Sequence, residues 1–563
     1  MIRLGTVFSG IGAIEHALER LGIEHKIEFA CDNGDVDILS KKINEDFFSI
    51  REEISELKSL VKDDVEKESL EFYLKTTEKI EKEVEKAHID ENEVYQVLES
   101  YRDTGKSNSN QNKAYIAFEN QILAEEGNLD KKLLLMRLSI KLESDIMRSA
   151  VPKNQAKEIL SAISSRNSKY KVILKELKNL AENISMVHER INTEIIRSEV
   201  FSIDDFNEQK KYVDNLYKNY ETRNKVMETY LANYDIDPNN FHWNVSFLDG
   251  RRYKDKIDLF VGGSPCQSFS LVGKQRGLDD TRGTLFYEFA RLVGEIHPKV
   301  FIYENVKAIL SNDGGETWKT MTEIFGQLGY DWSYEILNAK DYGIPQNRER
   351  VFVVGFRKDL KVKDFVFPKS IPLEKSMKDF LLDNVSGKYY LPKKGVNFVT
   401  SEKNLEKRFT QIDGDIQLCQ KKNQQFNWHG DFVFEEDCVE KEKLMDDLEK
   451  YFLSEKVKKY VLSTGTKGFY SRPEIDLDIA RPLLQTMHKM HRAGVDNYVT
   501  TDGRIRKLTP RECLRLMGFC DSFKIVVSDT SMYQQSGNSI VVDVLMHIVL
   551  EIIRAYPILI KGE

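Results

Sequence analysis

A cysteine, a glutamate and two arginines are the side chains of this sequence whose types and order could support covalent chemistry. Cys266 follows a proline in "VGGSPCQSFS", and Glu304 lies near the end of the apolar run "VFIYENV". Arg348 and Arg350 precede the apolar run "VFVVGF". A thiolate is a strong nucleophile, and a carboxyl group at the end of an apolar strand has the raised pKa that a general acid needs. With arginines to hold a carbonyl oxygen, a phosphate or the thiolate, the set predicts acid-assisted nucleophilic catalysis.

The first turn of the chain carries a second pattern, which is typical of nucleoside binding. In "FSGIGAIEHAL", Gly10 and Gly12 lie between an apolar run and a helical pattern, where small residues let backbone N–H groups approach a ligand. The next apolar run ends in Asp32, whose carboxylate can accept hydrogen bonds from both hydroxyls of a ribose. The turn lacks the GxxxxGK[ST] pattern, which disfavours a nucleoside triphosphate. We therefore predict a nucleoside-containing cofactor.

Alternating strands and helices are predicted to position these residues. The strand patterns are "RLGTVFSG", "IEHKIEFACDN", "KIDLFVGG", "PKVFIYENV", "YDWSYEILNA" and "RVFVVGF", and most are separated by helical patterns such as "TLFYEFARLVGEI". Strands that alternate with helices predict a parallel sheet covered on both faces. Because the carboxyl ends of parallel strands share one edge, Cys266 and Glu304 should lie side by side there.

Residues 41–240 interrupt this alternation with a different composition. They contain only two glycines and two prolines, and Lys, Glu and Leu or Ile recur at three- and four-residue spacing. The apolar positions at its start form two stripes: Ile54, Leu57, Val61, Ile80 and Val84. This pattern predicts a long α-helical, coiled-coil-like insert in one α/β domain. Within it, residues 131–178 carry 12 Lys and Arg against 4 Asp and Glu, which is either a solvated helix face or a surface for phosphate or a partner.

Composition and cysteine usage limit the class of protein. The chain has 563 residues, of which 41% are hydrophobic and 31% charged, and its net charge is −8; this is typical of a soluble protein of several domains. No uninterrupted apolar run reaches the roughly 18 residues of a membrane span, and the start does not resemble a signal peptide. The six cysteines show no spacing typical of zinc sites or disulfide frameworks, so we predict no metal; Cys513 and Cys520 are expected in the core. We expect a cytoplasmic protein with reduced thiols.

Taken in order, the motifs resemble those of bacterial DNA (cytosine-5)-methyltransferases. The matching stretches are "FSGIGA", "GGSPCQSFS", "GKQRGLDDTRGTLF", "ENV", "NAKDYGIPQNRERVFVVGF", "GRIRKLTPRECLRLMGF" and "QQSGNSIVV". The resemblance implies an α/β, Rossmann-like S-adenosylmethionine-dependent methyltransferase domain, with the long α-helical insert and a separate target recognition domain. The expected boundaries are residues 1–40 plus 241–360 for the catalytic domain, 41–240 for the insert, 361–500 for target recognition and 501–563 for a segment returning to the catalytic domain.

The resemblance also implies a reaction and a role for each motif. Cys266 would add to C6 of a cytosine flipped out of duplex DNA, and Glu304 would hold or protonate N3. Arg350 would contact O2 of the base, with Arg348 in close support. C5 would then take the methyl group of S-adenosylmethionine, with S-adenosylhomocysteine as the product. Cofactor contacts carry over to Phe8, Gly10, Gly12, Asp32, Asn244, Pro265, Leu285 and Asn538.

DNA contacts are expected from the glycine-rich loop that closes over the base in this family and from a base-reading loop. The residues are Gln267, Ser270, Lys274, Arg276 and Arg282 in the first, and Arg472, Lys489 and Arg492 in the second. Double-stranded DNA is the expected partner, in a bacterial restriction-modification or epigenetic system at the nucleoid. A cognate restriction endonuclease and a second copy of the chain, joined through the helical insert, are further candidates.

Two other functions stay open at this point. One is a tRNA cytosine-5 methyltransferase, which shares the fold and motifs; the long variable region between "QNRER" and "LTPREC" favours duplex DNA instead. The other is a catalytically silent DNA-binding scaffold, against which all the catalytic residue types are present.

Overall fold

The computed structural model separates the chain into two compact units. The first comprises Met1–Val36 and Asp205–Glu563, and the second comprises Asp37–Asp204. The residues that the structure describes are 1–61, 64–149, 151–161, 163–265, 285–382, 389–391, 393–422, 428–434, 465–466, 469–470, 506–507 and 509–561. The helical unit therefore ends at Asp204, whereas the insert predicted from composition extended to residue 240.

A seven-stranded sheet forms the centre of the first unit. Its strands are β1 (Ile2–Val7), β2 (His25–Cys31), β3 (Phe241–His242), β4 (Leu259–Gly262), β5 (Val300–Val306), β6 (Tyr330–Asn338) and β7 (Glu349–Arg357). Their order across the sheet is β3-β2-β1-β4-β5-β7-β6. All are parallel except β7, which runs antiparallel to β5 and β6, so the prediction of a parallel sheet is correct apart from this strand.

Eighteen helices accompany the strands in the described residues. They are α1 (Ala13–Arg20), α2 (Phe47–Leu60), α3 (Asp64–Lys86), α4 (Glu91–Asp103), α5 (Ser109–Ala124), α6 (Asn128–Arg148), α7 (Lys153–Ser161), α8 (Ser164–Phe201), α9 (Phe206–Tyr217), α10 (Lys225–Asn233), α11 (Leu285–Ile296), α12 (Glu316–Gln327), α13 (Lys393–Val399), α14 (Glu402–Glu406), α15 (Pro510–Arg515), α16 (Asp529–Asn538), α17 (Val542–Ala555) and α18 (Ile558–Lys561). Short 3-10 turns join several of them.

The two faces of the sheet are covered by different helices. In β5, Val300 and Ile302 belong to one apolar core, and Phe301 and Tyr303 belong to the other. Helices α1, α10 and α17 contribute to the first core, and α11 and α12 contribute to the second. A central strand that is apolar on both faces is what burial between two helix layers requires.

Helix α10 belongs to the first unit, although its composition resembles that of the insert. Tyr230 is fully buried and Tyr234 is 6% exposed, and both lie in the first core. The Tyr234 hydroxyl donates a hydrogen bond to the carbonyl oxygen of Gly12 at 2.7 Å. Composition did not reveal that α10 belongs to the first unit, because residues 205–240 are as rich in charged residues and as poor in glycine as the helices before them.

Helices α2 to α8 form the second unit around two apolar cores. The predicted stripe residues are all buried: Ile54, Leu57, Val61, Ile80 and Val84. Helices α2, α3, α6 and α8 share one core, and α4 to α7 share the other. The unit is thus a multi-helix bundle rather than a single hairpin, and its longest helix, α8, has 38 residues.

The C-terminal helices pack beside the start of the chain. Arg20 donates to the carbonyl oxygen of Gly518 at 2.8 Å and pairs with Asp543 at 2.6 Å. The segment Asp529–Ala555 includes a stretch with a mean hydropathy of 1.6, long and apolar enough by composition to cross a membrane, although polar and charged residues interrupt its apolar runs. However, 56% of that stretch is buried, and residues 539–541 separate α16 from α17. Its apolar character is accounted for by the core.

The described part of residues 361–500 packs on the C-terminal helices. Its strands are β8 (Thr410–Ile412), β9 (Gly430–Val433), β10 (Gly465–Thr466) and β11 (Phe469–Tyr470), and β9 also pairs with β12 (Arg506–Lys507). Tyr389 and Val433 share a small core with Cys513 and Tyr533. Cys513 is buried as predicted, whereas Cys520 is exposed, so the core prediction was wrong for Cys520.

Candidate active site

A cleft lies at the carboxyl ends of β1, β4 and β5. It brings together four residues singled out by the sequence, namely Phe8, Gly10, Glu304 and Asn538. Residues that the sequence did not single out also line it: Thr6, Ser9, Gly263 and Ser539. Because β1 lies between β2 and β4, the strand order reverses at this edge, which is where open sheets of this type hold their ligands.

The turn after β1 adopts left-handed backbone at alternate residues. The φ angle is 53° at Phe8, 54° at Gly10 and 76° at Gly12. Glycine adopts this conformation without steric cost, whereas a side chain pays on the order of 1 kcal/mol or more. Phe8 is therefore the strained residue of the turn. Gly12 has a second reason to be glycine, because a Cβ there would lie 2.1 Å from the ring of Tyr234.

Asp32 reaches the glycine turn from the end of β2. Its carboxylate accepts hydrogen bonds from the backbone N–H of Gly10 at 2.9 Å and of Gly34 at 2.8 Å. Burial raises the pKa of Asp32, and these two N–H groups oppose that shift. The carboxylate is thus held beside the turn, and the residue as a whole is partly exposed.

Glu15, in the helix that follows the turn, is hydrogen-bonded to Tyr230. The buried Glu15 carboxylate accepts from Thr6 Oγ1 at 3.1 Å and from the Tyr230 hydroxyl at 2.5 Å. Its second oxygen, Oε2, has no hydrogen-bond partner among the described residues. Burial raises the pKa of Glu15 to about 7. Sequence reasoning missed this contact because Tyr230 lies more than two hundred residues away, beyond the helical unit.

Glu304 and Arg350 form a largely buried ion pair at the rim of the cleft. Arg350 Nε lies 3.0 Å from Glu304 Oε1, and the two side chains are 15% and 13% exposed. In the antiparallel pairing of β5 with β7, Arg350 is opposite Val306, two residues from Glu304, so both side chains emerge on the same face. Burial raises the pKa of Glu304, although Arg350 and Arg348 oppose the shift. A raised pKa makes a carboxyl group a better proton donor at a given pH than it would be in water.

The chain leaves β4 directly beside Glu304. A Cβ on Gly263 would lie 2.8 Å from Glu304 Oε2, so only glycine permits this close approach. Ser264 Oγ and the Tyr303 hydroxyl are 2.6 Å apart. Asn305 Nδ2 donates to the Ser264 carbonyl oxygen at 3.1 Å and to the Tyr303 hydroxyl at 2.8 Å. These bonds orient the backbone that continues into Pro265. The sequence did not single out Asn305 for this role, and it appeared there only as the middle residue of "ENV".

Nine of the predicted catalytic and DNA-binding residues lie outside the described residues. They are Cys266, Gln267, Ser270, Lys274, Arg276, Arg282, Arg472, Lys489 and Arg492. Pro265, the last described residue before Cys266, is exposed and does not line the cleft. The roles of these nine residues therefore stay predictions.

Arg348 contacts backbone carbonyl groups rather than Glu304. Its Nη1 donates to the carbonyl oxygen of Gln420 at 2.9 Å, and its Nη2 donates to those of Gly537 at 3.0 Å and Ser539 at 2.8 Å. Arg348 is 4% exposed, and burial lowers its pKa to about 10. Within the described residues its Nε has no partner. The guanidinium group holds the chain next to Asn538, so its support of the site is indirect.

Three of the predicted cofactor residues lie at the end of a helix or outside the cleft. Asn538 is the final residue of α16, and α17 begins at Val542. It nevertheless lines the cleft. Asn244 does not line it; its Nδ2 donates to the Tyr217 hydroxyl at 3.0 Å. Leu285 begins α11 and packs against the second core of the sheet.

Comparisons with known proteins agree with this arrangement. The family described as C-5 cytosine-specific DNA methylase matches residues 206–554, so the match begins just after the helical unit ends at Asp204. Type II methyltransferase M.HhaI of Haemophilus parahaemolyticus is 32% identical over 333 residues, which cover 58% of this chain and 84% of that protein. Type II methyltransferase M.HpaII of Haemophilus parainfluenzae is 30% identical over 325 residues, covering 56% and 77%.

Among solved structures, the Dnmt2 methyltransferase of S. pombe is similar over 59% of this chain and 88% of its own, at 16% identity and a TM-score of 0.37. The family match covers more than half of the chain and includes Glu304, Arg350 and Asn538. With these side chains gathered at the carboxyl edge of a parallel-dominated sheet, the chain belongs to the C-5 cytosine-specific DNA methylase family, whose members are DNA (cytosine-5)-methyltransferases.

Proposed function

We propose that this protein methylates C5 of a flipped-out cytosine in a specific double-stranded DNA sequence, through a covalent bond between Cys266 and C6. The observation that carries the proposal is the buried Glu304–Arg350 pair, beside the point where the chain leaves β4 toward Cys266. Carbon C5 of cytosine is a poor nucleophile. A thiolate that adds at C6, assisted by an acid at N3, makes C5 electron-rich.

The residues of the cleft, together with the Asp32 carboxylate that is hydrogen-bonded to its glycine turn, fit S-adenosylmethionine as the methyl donor. Asp32 offers a carboxylate for the ribose, and its hydrogen bond from Gly10 joins it to a turn whose N–H groups can approach the ligand. Phe8 and Asn538 line the same cleft and would contact the cofactor. When bound, this cofactor supplies an electrophilic methyl group. The polar groups of Asn244 are already engaged by Tyr217 and Ser246, which places it last among the cofactor candidates.

Glu304 and Arg350 would have complementary tasks on the base. Arg350 offers fixed positive charge to O2, and Glu304 offers a proton or hydrogen bond to N3 as electron density enters the ring from Cys266. Their ion pair orients the carboxyl group, while burial raises its pKa toward the range of a useful acid. Arg348 would act on the backbone beside Asn538. Loss of the C5 proton and of the thiolate then restores the aromatic ring.

The substrate class is tested by offering DNA and tRNA side by side with labelled S-adenosylmethionine. We expect label in duplex DNA only, and none with the Cys266→Ala variant. Label in tRNA alone would assign the alternative function. A folded protein that labels neither would be a silent scaffold. Bisulfite sequencing of DNA from a host that expresses the protein would then identify the modified sequence.

We further propose that the enzyme works on the nucleoid in the bacterial cytoplasm, as part of a restriction-modification or epigenetic system. The support is that M.HhaI and M.HpaII are named type II methyltransferases. A cognate restriction endonuclease is the expected partner. If so, genomic DNA from an expressing host will resist one endonuclease that cleaves DNA from a host expressing Cys266→Ala.

For the helical unit we propose a role in homodimer formation. Large apolar side chains are exposed on it, including Phe48 at 72%, Phe72 at 65% and Leu123 at 76%. Deletion of residues 37–204 is a better test than deletion to residue 240, because α10 is part of the catalytic core. We expect the full chain to be a dimer and the deletion variant a monomer by light scattering. Equal oligomeric states would reject this role.

A further inference from the structure

Residues 417–422, here called the strap, connect the described part of the recognition region with the active-site framework. At the start of the strap, the Gln417 N–H donates to the carbonyl oxygen of Pro345 at 2.6 Å. The Gln417 carbonyl oxygen accepts from the Asn347 N–H at 2.8 Å. The strap is therefore joined to the segment that leads into Arg348 and Arg350.

The middle of the strap is fixed by buried polar groups. The backbone carbonyl oxygen of Gln420 accepts a hydrogen bond from Arg348. The side-chain Nε2 of Gln420 donates a hydrogen bond to Ser536 Oγ at 2.7 Å. The strap backbone also packs directly on Gly537, where a Cβ would lie 2.7 Å from the Lys422 backbone nitrogen. Since Gly537 precedes Asn538, the strap runs beside the wall of the cofactor cleft.

The strap ends at the loop that carries the ribose carboxylate. The Lys422 ammonium group forms an ion pair with Asp35, three residues after Asp32. Asp32 in turn accepts from the N–H of Gly34, so the two carboxylates share one tight loop. The charges of Asp35 and Lys422 act in opposite directions on the Asp32 carboxylate, because a like charge opposes ionisation and an opposite charge favours it.

We propose that Lys422 is a positioning residue for the cofactor, which neutralises Asp35 and thereby holds the loop of Asp32 in the geometry that binds a ribose. This inference rests on the proposed cofactor site. Without the lysine, two carboxylates three residues apart in the loop after β2 repel each other. An exposed ion pair contributes little to stability, so its loss should change ligand binding while leaving the fold intact.

The test is calorimetric titration of the full-length protein with S-adenosylhomocysteine and S-adenosylmethionine. We expect Lys422→Met to weaken both affinities about fivefold, the size of effect that a single screened ion pair can have. Lys422→Arg should restore binding to within about twofold, because it keeps the charge. In turnover, Lys422→Met should raise KM for S-adenosylmethionine and leave kcat nearly unchanged.

Two controls separate this role from a general effect of charge. Lys407→Met removes an exposed lysine for which no ion pair is found among the described residues, and it should bind like the wild type. In an Asp35→Asn background, Lys422→Met should have little further effect, because the repulsion is already gone. The wild-type affinity should also fall with added salt toward that of Lys422→Met.

Several outcomes would overturn the inference. Wild-type affinity in Lys422→Met, an equal loss in Lys407→Met, or a salt-independent affinity of the wild type would each reject it while leaving the proposed function intact. A wild-type protein that binds neither S-adenosylmethionine nor S-adenosylhomocysteine would reject the proposed function, and this inference with it.

Discussion

The two units of this chain differ in how deeply their charged residues are buried. In the helical unit, ion pairs join neighbouring helices at the surface, as in Arg51–Glu81 at 2.6 Å and Arg102–Glu119 at 2.9 Å. In the catalytic unit, Glu15 is completely buried, and like Arg348 it has an atom without a partner among the described residues. Exposed pairs contribute little energy, whereas buried and incompletely paired groups are costly. The comparison shows that burial of a charged side chain indicates a functional site better than the number of charged residues in a region does.

The basic segment of the helical unit illustrates the same lesson. Residues 131–178 carry an excess of positive charge in the sequence, yet at least six of their 12 basic side chains pair with carboxylates within the described part of the chain. These are Lys131, Arg137, Lys141, Arg166, Lys171 and Lys178. Several partners, such as Glu45, Glu91 and Glu93, lie outside the segment. The excess is therefore partly neutralised by folding, which favours a structural role over phosphate binding.

Glu304→Gln should produce the largest effect, because it removes the acid but keeps the shape of the side chain. We expect methyl transfer to DNA to fall by at least about 100-fold, the usual contribution of a general acid. Initial rates with labelled S-adenosylmethionine at saturating DNA measure this. The control is Glu349→Gln, which removes an exposed carboxylate that pairs with Lys307. If Glu304→Gln retained more than about a tenth of the rate, the role of Glu304 as an acid would be wrong.

The contrast predicts different losses of stability when a buried arginine and a partly exposed arginine are replaced. Arg348→Met removes the guanidinium donor of three buried hydrogen bonds to carbonyl groups, so we expect the free energy of unfolding to fall by about 3 kcal/mol. Arg102→Met in the helical unit should lower it by less than about 1 kcal/mol. All four tryptophans lie in the catalytic unit, so their fluorescence follows the unfolding of that unit and circular dichroism follows both. Equal losses would contradict the contrast.

Glu15 should make the stability of the catalytic unit depend on pH. Its pKa is raised from 4.5 to about 7 in the folded protein, so the folded state holds the proton more tightly than the unfolded state. That stabilisation is complete below the unfolded pKa and is lost as pH rises through the folded pKa. We expect the free energy of unfolding to fall by about 2 kcal/mol between about pH 5.5 and about pH 7.5. Urea titrations followed by tryptophan fluorescence should show a clearly smaller fall in Glu15→Gln.

Lys171→Gln should have the smallest effect, because Lys171 forms only an exposed ion pair with Glu143. We expect stability to change by less than about 0.5 kcal/mol and the salt dependence of DNA affinity to stay the same. By contrast, Arg276→Gln, at a predicted phosphate contact, should lower the slope of log affinity against log salt by about 1. A similar change of slope in Lys171→Gln would show that the helical unit binds DNA.

Much of the site was readable from the sequence because its parts lie at the ends of strands. Gly10, Asp32 and Glu304 each follow or close an apolar run, and neighbouring strands of a sheet bring their ends to one edge. The stripes of the insert were equally readable, because helical periodicity depends only on local spacing. The antiparallel direction of β7 was not readable, since a strand pattern carries no direction.

The sequence by itself determined the elements, the order of the motifs and the kind of chemistry they can perform. Only the tertiary structure decided which charges are buried, that Tyr230 and Tyr234 belong to the catalytic core, and that Arg348 holds backbone carbonyl groups. It also brought Lys422 to Asp35 across nearly four hundred residues. The physical reason is that periodicity reports the neighbours of a residue within its own element, whereas burial and pairing depend on whatever the rest of the chain packs against it.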